Sequence, residues 1–446
     1  MSRAMFTDLY ALTMGASYIR EGRADRMVSC EMFTRRLPRN RRFMVVAGMR
    51  EVAEALADWR FTEEDLRYLR AVPVLAKIWT PAVEERLAAL RFTGDVSAMA
   101  DGTVFFPDEP VLRVTAPVLE AQLLETYLLS VFNQAASVAS KAARLRLAAG
   151  DGTLVEFGMR RVHPDASVSA SLAAAMLGFE ATSNVAAGQR FGLNLTGTMA
   201  HAFVMVHDSE IEAFRAQARL FGQNVTLLVD TYDTLRGVER AMEAAGPALG
   251  GVRLDSGDLL QLSRGARALL DSRGFQRVKI VASGDLEETR VAALRAARAP
   301  IDVYAVGTEL SASADAPTLG AVYKVTQDHA AGRGVAKFSA NKGTLAGVHQ
   351  VYRRVDGGRM VEDVIGLEGE RMDGLRPLLR PLVERGRAVG NPPALADTRA
   401  HALAGLAELT DTLKDLGAEP QPAFPVRMSA GVKQATEEAR ARLAAR

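Results

Sequence analysis

His201 lies in the run Leu195-Thr196-Gly197-Thr198-Met199-Ala200-His201-Ala202-Phe203-Val204-Met205-Val206, an apolar setting that is costly for a titratable ring. Two accounts fit it. One is a core histidine with both ring nitrogens satisfied. The other is a nucleophilic, phosphate-accepting histidine at the end of a strand, with Gly197 and Thr198 shaping a small anion site beside it. Turns of related character recur along the chain. They are Glu156-Phe157-Gly158-Met159-Arg160-Arg161, Thr182-Ser183-Asn184, Asp230-Thr231-Tyr232-Asp233, Arg253-Leu254-Asp255-Ser256-Gly257-Asp258, Ser283-Gly284-Asp285 and Gly307-Thr308-Glu309. Small residues with free backbone N–H groups at helix starts make sites for phosphate, and two such turns on neighbouring strands suit a ligand with more than one phosphate group. Arg253 and Asp255 alternate about Leu254, so on a strand both side chains emerge on one face. Each feature alone has a plain structural account: a common helix start, an ion pair, a solvated Arg160-Arg161 loop. The combination points to chemistry, with a guanidinium for a planar carboxylate, acids for Mg²⁺, Gly/Thr turns for phosphate and a histidine among them.

The elements that must position these residues follow from hydrophobic periodicity. Short apolar strands are predicted at 154–157, 179–181, 195–197, 225–229, 251–254, 278–282 and 302–306, each followed by a helical pattern. A spacing of roughly twenty to thirty residues is the rhythm of parallel βα units, and a long succession of them predicts an irregular (β/α) barrel over 118–320 with its functional groups at the carboxyl ends of the strands. The preceding 1–117 reads as an α+β domain. It opens with a helix over 4–21, capped by Thr7 and stopped by Gly22, and carries strands at 27–33, 43–46, 95–99 and 111–115 with helices at 48–59, 62–71 and 81–90. Pro117 is expected to open a long helix reaching Ala149, with a break near Asn133. In 321–446, strands at 322–325, 335–339, 350–354 and 360–365 rejoin the amino-terminal domain, which makes it discontinuous, and a helical segment closes the chain.

Bulk composition narrows the function classes. With 446 residues the chain exceeds one ordinary core, so two or three domains are expected. Lys and Arg number 55 against 53 Asp and Glu, a balance that argues against a nucleic-acid partner. The lone Cys30 fits a reducing compartment and rules out a disulfide framework. Thr7, Asp8 and Tyr10 interrupt the first hydrophobic residues, and no run of about twenty apolar residues occurs, so a cytoplasmic protein without a membrane span is expected. There are no repeats and no metal-spaced Cys/His clusters.

Taken in order, Thr7-Asp8-Leu9-Tyr10, 156–161, 182–188, 197–204, 228–235, 252–259, 307–310, Val322-Tyr323-Lys324 and 342–353 resemble the nicotinate phosphoribosyltransferase family along nearly the whole chain. The resemblance implies a type II phosphoribosyltransferase-like α/β fold, an irregular barrel plus a discontinuous α+β domain. It also implies transfer of the phosphoribosyl group of phosphoribosyl pyrophosphate to nicotinate in NAD salvage, coupled to ATP hydrolysis, by a homodimer with active sites at the subunit interface. Position by position, it implies that Tyr10 from the neighbouring subunit stacks on the pyridine ring and that Thr198 and Arg253 contact nicotinate. It further implies that ATP phosphorylates His201, that Thr308 touches the phosphoribosyl donor, and that Arg160 lies near the substrate. Strand-end geometry adds Asp255 as a Mg²⁺ ligand, and Ser283, Gly284 and Gly307 against substrate. Two departures stand out: Val162-His163-Pro164-Asp165 where a small polar residue is usual, and Ala346 and His349 where the family tends to have Pro and Lys.

Three other functions compete. A phosphoribosyltransferase for nicotinamide would not need Arg253, and one for quinolinate would need further cations. A barrel aldolase or isomerase of phosphosugars usually wants a Schiff-base lysine, and no Lys ends a predicted barrel strand. A catalytically silent relative is disfavoured by intact His201, Arg253 and Asp255.

Overall fold

Short strands with few polar residues are stable only when both faces are covered, the condition of a parallel sheet flanked by helices. In the computed structural model, which describes residues 1–38, 40–339, 342–417 and 422–445, six such strands form one sheet. Their spatial order is Ala181–Thr182, Thr153–Glu156, Val303–Val306, Lys279–Ala282, Leu249–Leu254 and Val225–Leu228, with every neighbouring pair parallel. Leu154, Leu227, Val252, Leu254, Ile280 and Val306 are fully buried in it. Helices Pro164–Met176, Glu210–Phe221, Thr234–Ala245, Leu259–Ser272 and Glu288–Ala296 intervene along the chain. All carboxyl ends therefore lie along one edge.

The strand expected at 195–197 shrinks to a single parallel bridge between Thr182 and Leu195. Leu195 is half exposed and Gly197 has no side chain to pack, so little is gained by extending the ladder. No ladder among the described residues joins this stretch to Val225–Leu228, and the sheet is an open, curled half-barrel within a mixed α/β fold. Two of the strand-end acids serve as helix caps. Asp233 accepts from the Arg236 N–H (2.9 Å), and Asp258 from those of Leu260 (3.0 Å) and Gln261 (3.1 Å).

This sheet belongs to a unit made of Val138–Pro317 with Leu416 and Gly417. A second unit contains Met1–Ser137, Thr318–Asp415 and the described residues of the carboxyl-terminal segment. Its seven-stranded antiparallel sheet pairs Ala321–Asp328 with Met27–Thr34 and Leu379–Glu384 with Asp95–Met99, so the late chain supplies strands to the early one. The stretch 335–339, expected as a strand, is not one. Its ladder ends at Arg333–Gly334, and the Lys337 backbone closes on Thr344 instead.

Helix Val118–Ala149 runs for 32 residues without the expected break. The Asn133 amide donates to the Leu129 carbonyl at 2.8 Å and leaves the helix intact, while Pro117 ends the preceding strand. The first helix, Leu9–Arg20, has Asp8 rather than Thr7 at its cap position. His349, one of the family departures, is a buried structural residue. Its Nδ1 meets Glu31 Oε2 at 2.7 Å, its backbone N–H donates to Oε1 at 2.8 Å, and Ala346 is buried nearby in sequence. No helix among the described residues is long and apolar enough to cross a membrane.

Candidate active site

The strand Leu249–Leu254 buries Leu254 and carries Arg253 and then Asp255 to the carboxyl edge of the sheet. The Arg253 guanidinium is almost fully engaged. Nε donates to Ser283 Oγ (3.0 Å), Nη1 to Thr198 Oγ1 (2.8 Å) and the Met199 carbonyl (3.3 Å), and Nη2 to Asp255 Oδ1 (3.0 Å). A guanidinium has five N–H groups, so one, on Nη2, remains for a ligand. The two-pronged clamp that a bare arginine would offer is thus narrowed to a single N–H beside the Thr198 hydroxyl. The Ser283 hydroxyl also donates to Asp255 Oδ1. Burial raises the Asp255 pKa, but the Ser283 hydroxyl and the Arg253 guanidinium outweigh it and hold the carboxyl below the usual range. The Phe157 ring lies 5.7 Å from Arg253 Cζ.

Asp230 follows the strand Val225–Leu228, and its side chain is 1% exposed. It bonds in two directions. Oδ1 lies 3.2 Å from His201 Nε2, while Oδ2 accepts from the Asp255 N–H (2.9 Å) and the Ser256 hydroxyl (2.6 Å). A carboxylate only accepts, so a neutral His201 ring in this contact has its proton on Nε2 and its lone pair on Nδ1. The ring begins the helix His201–Met205 and its side chain is 38% exposed. His201 is therefore neither a core histidine nor a strand residue. Met205 and Val206 after it are exposed as well, which removes the apolar enclosure that the run suggested.

The glycine turns at the carboxyl edge are built by close approach. Gly284 has φ +84°, and a Cβ there would stand 1.9 Å from the Asp255 carbonyl oxygen, so only glycine lets the two turns touch. Arg290 ties them together, donating to the carbonyls of Gly284 (3.0 Å) and Gly257 (3.4 Å). Gly307 precedes the short helix Thr308–Ser311 at the end of the next strand, and Thr308 is half-buried. Arg160 sits in the single turn Met159–Arg161, exposed, and no hydrogen bond or ion pair among the described residues reaches it.

Thr198, His201, Arg253, Asp255 and Ser283 are thus gathered into one network, with Gly284 against it. Arg160, Gly307 and Thr308 lie outside that network, at the carboxyl ends of two further strands of the same sheet. Tyr10 belongs to the other unit, half exposed on helix Leu9–Arg20. Asp230, Ser256, Phe157 and Arg290 escaped the reading of the sequence. Asp230 stood in the strand-end set, but nothing local separates it from the capping Asp233. Among the described residues no three His, Cys, Asp or Glu side chains gather as a metal cage. The donor present is one carboxylate, Asp255, whose hydrogen bonds fall on Oδ1. Mg²⁺ commonly takes such a group together with water and ligand phosphate oxygens, so the residues fit it.

The half-barrel with a polar network along its carboxyl edge places the chain in the mixed α/β class. Residues 138–316 match the quinolinate phosphoribosyl transferase carboxyl-terminal domain, and residues 5–133 the nicotinate phosphoribosyltransferase amino-terminal domain. Human nicotinic acid phosphoribosyltransferase superposes with a TM-score of 0.82 at 29% identity, over 97% of this chain and 99% of that one. Nicotinate-nucleotide pyrophosphorylase from Pyrococcus furiosus gives 0.74 at 26% identity, over 90% and 94%. Nicotinate phosphoribosyltransferase pncB2 of Mycobacterium tuberculosis is 42% identical over 434 residues, 96% of this chain and 91% of the relative. The chain belongs to the nicotinate phosphoribosyltransferase family and is an enzyme.

Proposed function

We propose that this enzyme transfers the phosphoribosyl group of phosphoribosyl pyrophosphate to nicotinate, releasing nicotinate mononucleotide and pyrophosphate in NAD salvage. One observation supports the choice of base: the uncommitted N–H of Arg253 lies beside the Thr198 hydroxyl. That hydroxyl accepts from Arg253 and gives its own proton to the Met199 carbonyl across a long 3.4 Å contact, which a carboxylate can displace, and the two donors together suit nicotinate. The Phe157 ring offers the pyridine an apolar wall. As the ring nitrogen bonds to the anomeric carbon, the bond to pyrophosphate breaks through a cationic, oxocarbenium-like sugar, so positioning and charge do most of the work. The Ser283-Gly284 and Gly307-Thr308 turns take the phosphates, with Arg160 as a further cation. Mg²⁺ held by Asp255 would supply neutralisation of the departing pyrophosphate.

His201 is assigned the coupling to ATP. Its Nδ1 attacks the γ-phosphorus, forming an N–P bond and releasing ADP, while Asp230 stabilises the ring from Nε2. The added charge then orders the turns that bind the donor substrate. Tyr10 stacks on the base from the neighbouring subunit of a cytoplasmic homodimer.

Mass analysis of products from nicotinate, phosphoribosyl pyrophosphate, Mg²⁺ and ATP tests the reaction, and absence of nicotinate mononucleotide refutes it. Because residues 138–316 resemble the carboxyl-terminal domain of quinolinate phosphoribosyl transferase, quinolinate is the second candidate. Conversion of quinolinate with carbon dioxide release, in preference to nicotinate, would establish it instead.

A further inference from the structure

Glu156 ends the strand Thr153–Glu156 with a carboxylate that is 1% exposed, and no cationic side chain among the described residues pairs with it. Such a group is costly to bury unless donors fill its oxygens. Four do. Oε1 accepts from the Gly158 N–H and from the Ser311 hydroxyl (3.3 Å), and Oε2 accepts from the hydroxyls of Thr182 and of Ser171 (2.9 Å), the latter shared with the Ser167 carbonyl (3.0 Å). These donors come from four different places: the turn after the strand, helix Thr308–Ser311, helix Pro164–Met176 and strand Ala181–Thr182.

Two of them belong to turns that carry candidate contacts to the phosphoribosyl donor. Gly158 leads into Met159-Arg160, and Ser311 follows Thr308 within one helical turn. The two turns are in direct contact, since a Cβ on Gly158 would stand 1.9 Å from Ser311 Oγ and 2.7 Å from the Gly307 carbonyl oxygen. The network extends sideways as well. Thr182 Oγ1 accepts from the Asn184 N–H (3.0 Å), and the Asn184 amide donates to Ser167 Oγ (3.0 Å).

We infer that Glu156 is a positioning residue for the phosphoribosyl donor. It touches no substrate but fixes the spacing of the Arg160 turn and the Gly307-Thr308 turn so that both meet one anionic ligand. This rests on the proposed phosphoribosyl transfer. Negative charge beneath anion-binding turns is otherwise out of place, and an acceptor-only group has a specific use there. It draws the surrounding protons inward, whereas a neutral amide would turn N–H groups against its hydroxyl donors.

Glu156→Gln keeps the shape and replaces one acceptor by a donor, and Ser311→Ala removes a single bond. In Glu156→Gln the KM for phosphoribosyl pyrophosphate rises about tenfold, while the KM for nicotinate stays within about twofold. Ser311→Ala shows the same split, smaller. Calorimetric titration of phosphoribosyl pyrophosphate into wild type and both variants reads the positioning without turnover. A wild type that binds the compound but makes no nicotinate mononucleotide overturns the reaction and leaves the positioning to be read from the variants' affinities. A wild type that does not bind it overturns both. Equal affinity in all three proteins, or a loss spread evenly over both KM values, overturns the positioning.

Discussion

Arg253→Ala removes the cation proposed for the nicotinate carboxylate, and the size of the effect follows from the bonds at the guanidinium. The ligand takes one N–H of Nη2, a charge-assisted hydrogen bond contributing about 1.5–3 kcal/mol. At about 1.4 kcal/mol per factor of ten, its loss weakens nicotinate about tenfold to a hundredfold. Alanine also leaves Asp255 Oδ1 with the Ser283 hydroxyl alone and Thr198 without its tether, costs that appear mainly in kcat. Arg253→Lys separates charge from shape. One ammonium cannot hold Ser283, Thr198, Met199 and Asp255 together, so it recovers only part of kcat/KM. Initial rates with nicotinate varied at saturating donor give the numbers, with nicotinamide as the control base. Nicotinamide has no carboxylate to lose, and its KM moves less. An unchanged nicotinate KM in Arg253→Ala, or an equal loss for both bases, refutes the assignment.

Four further outcomes are expected. Asp230→Asn disorients His201 and reduces phosphate incorporation from γ-labelled ATP to the level of His201→Ala, leaving a slow ATP-independent reaction; full incorporation would show that His201 needs no orienting carboxylate. Asp255→Asn leaves Arg253 uncompensated, so the nicotinate KM falls while kcat drops about tenfold or more; an unaltered kcat removes Asp255 from the chemistry. Tyr10→Ala raises the nicotinate KM, and wild-type kinetics would make Tyr10 a surface residue only. Burial pushes the Cys30 thiol up to about 12 from an ordinary 9.0, opposed in part by the Tyr323 hydroxyl. The unfolded thiol therefore ionises first as pH rises above 9.0, and stability falls through that window until the folded thiol follows near 12. Iodoacetamide should label Cys30 only in urea, and labelling of the native protein would contradict its burial.

Features with a local period were legible in the sequence. The alternation over Asp95–Met99 became a strand with those bounds, and the alternation about Leu254 placed Arg253 and Asp255 on one face. Features fixed by distant pairing were not. Asp230 and Asp233 share one tetrapeptide, yet one caps a helix and the other joins His201 to the Asp255 turn. That difference is made by the register of Val225–Leu228 against Leu249–Leu254, which brings residue 228 opposite residue 253 and so sets Asp230 beside Asp255. The stretch from Leu195 looked like a strand because it opens an apolar run, but beyond the bridge to Thr182 no ladder among the described residues takes it in. Asn133 looked like a break because its amide competes with backbone hydrogen bonding; within a long buried helix it bonds the carbonyl four residues back and disturbs nothing.

Glu156, Asp230 and Asp255 put three carboxylates along an edge proposed to receive a polyphosphorylated sugar, an arrangement that simple charge attraction would forbid. Their partners resolve the conflict. Each is filled from the protein side, Glu156 by hydroxyls and an amide, Asp230 by an amide, a hydroxyl and an imidazole, Asp255 by a guanidinium and a hydroxyl. Filled in this way, a carboxylate acts less as a free charge than as a fixed point from which surrounding donors are aimed. The consequence is greatest at Arg253, whose positive charge is already matched by Asp255 before any base arrives. An incoming carboxylate then meets a nearly neutral pair with one open N–H, which limits ground-state affinity and spares binding energy for the transition state.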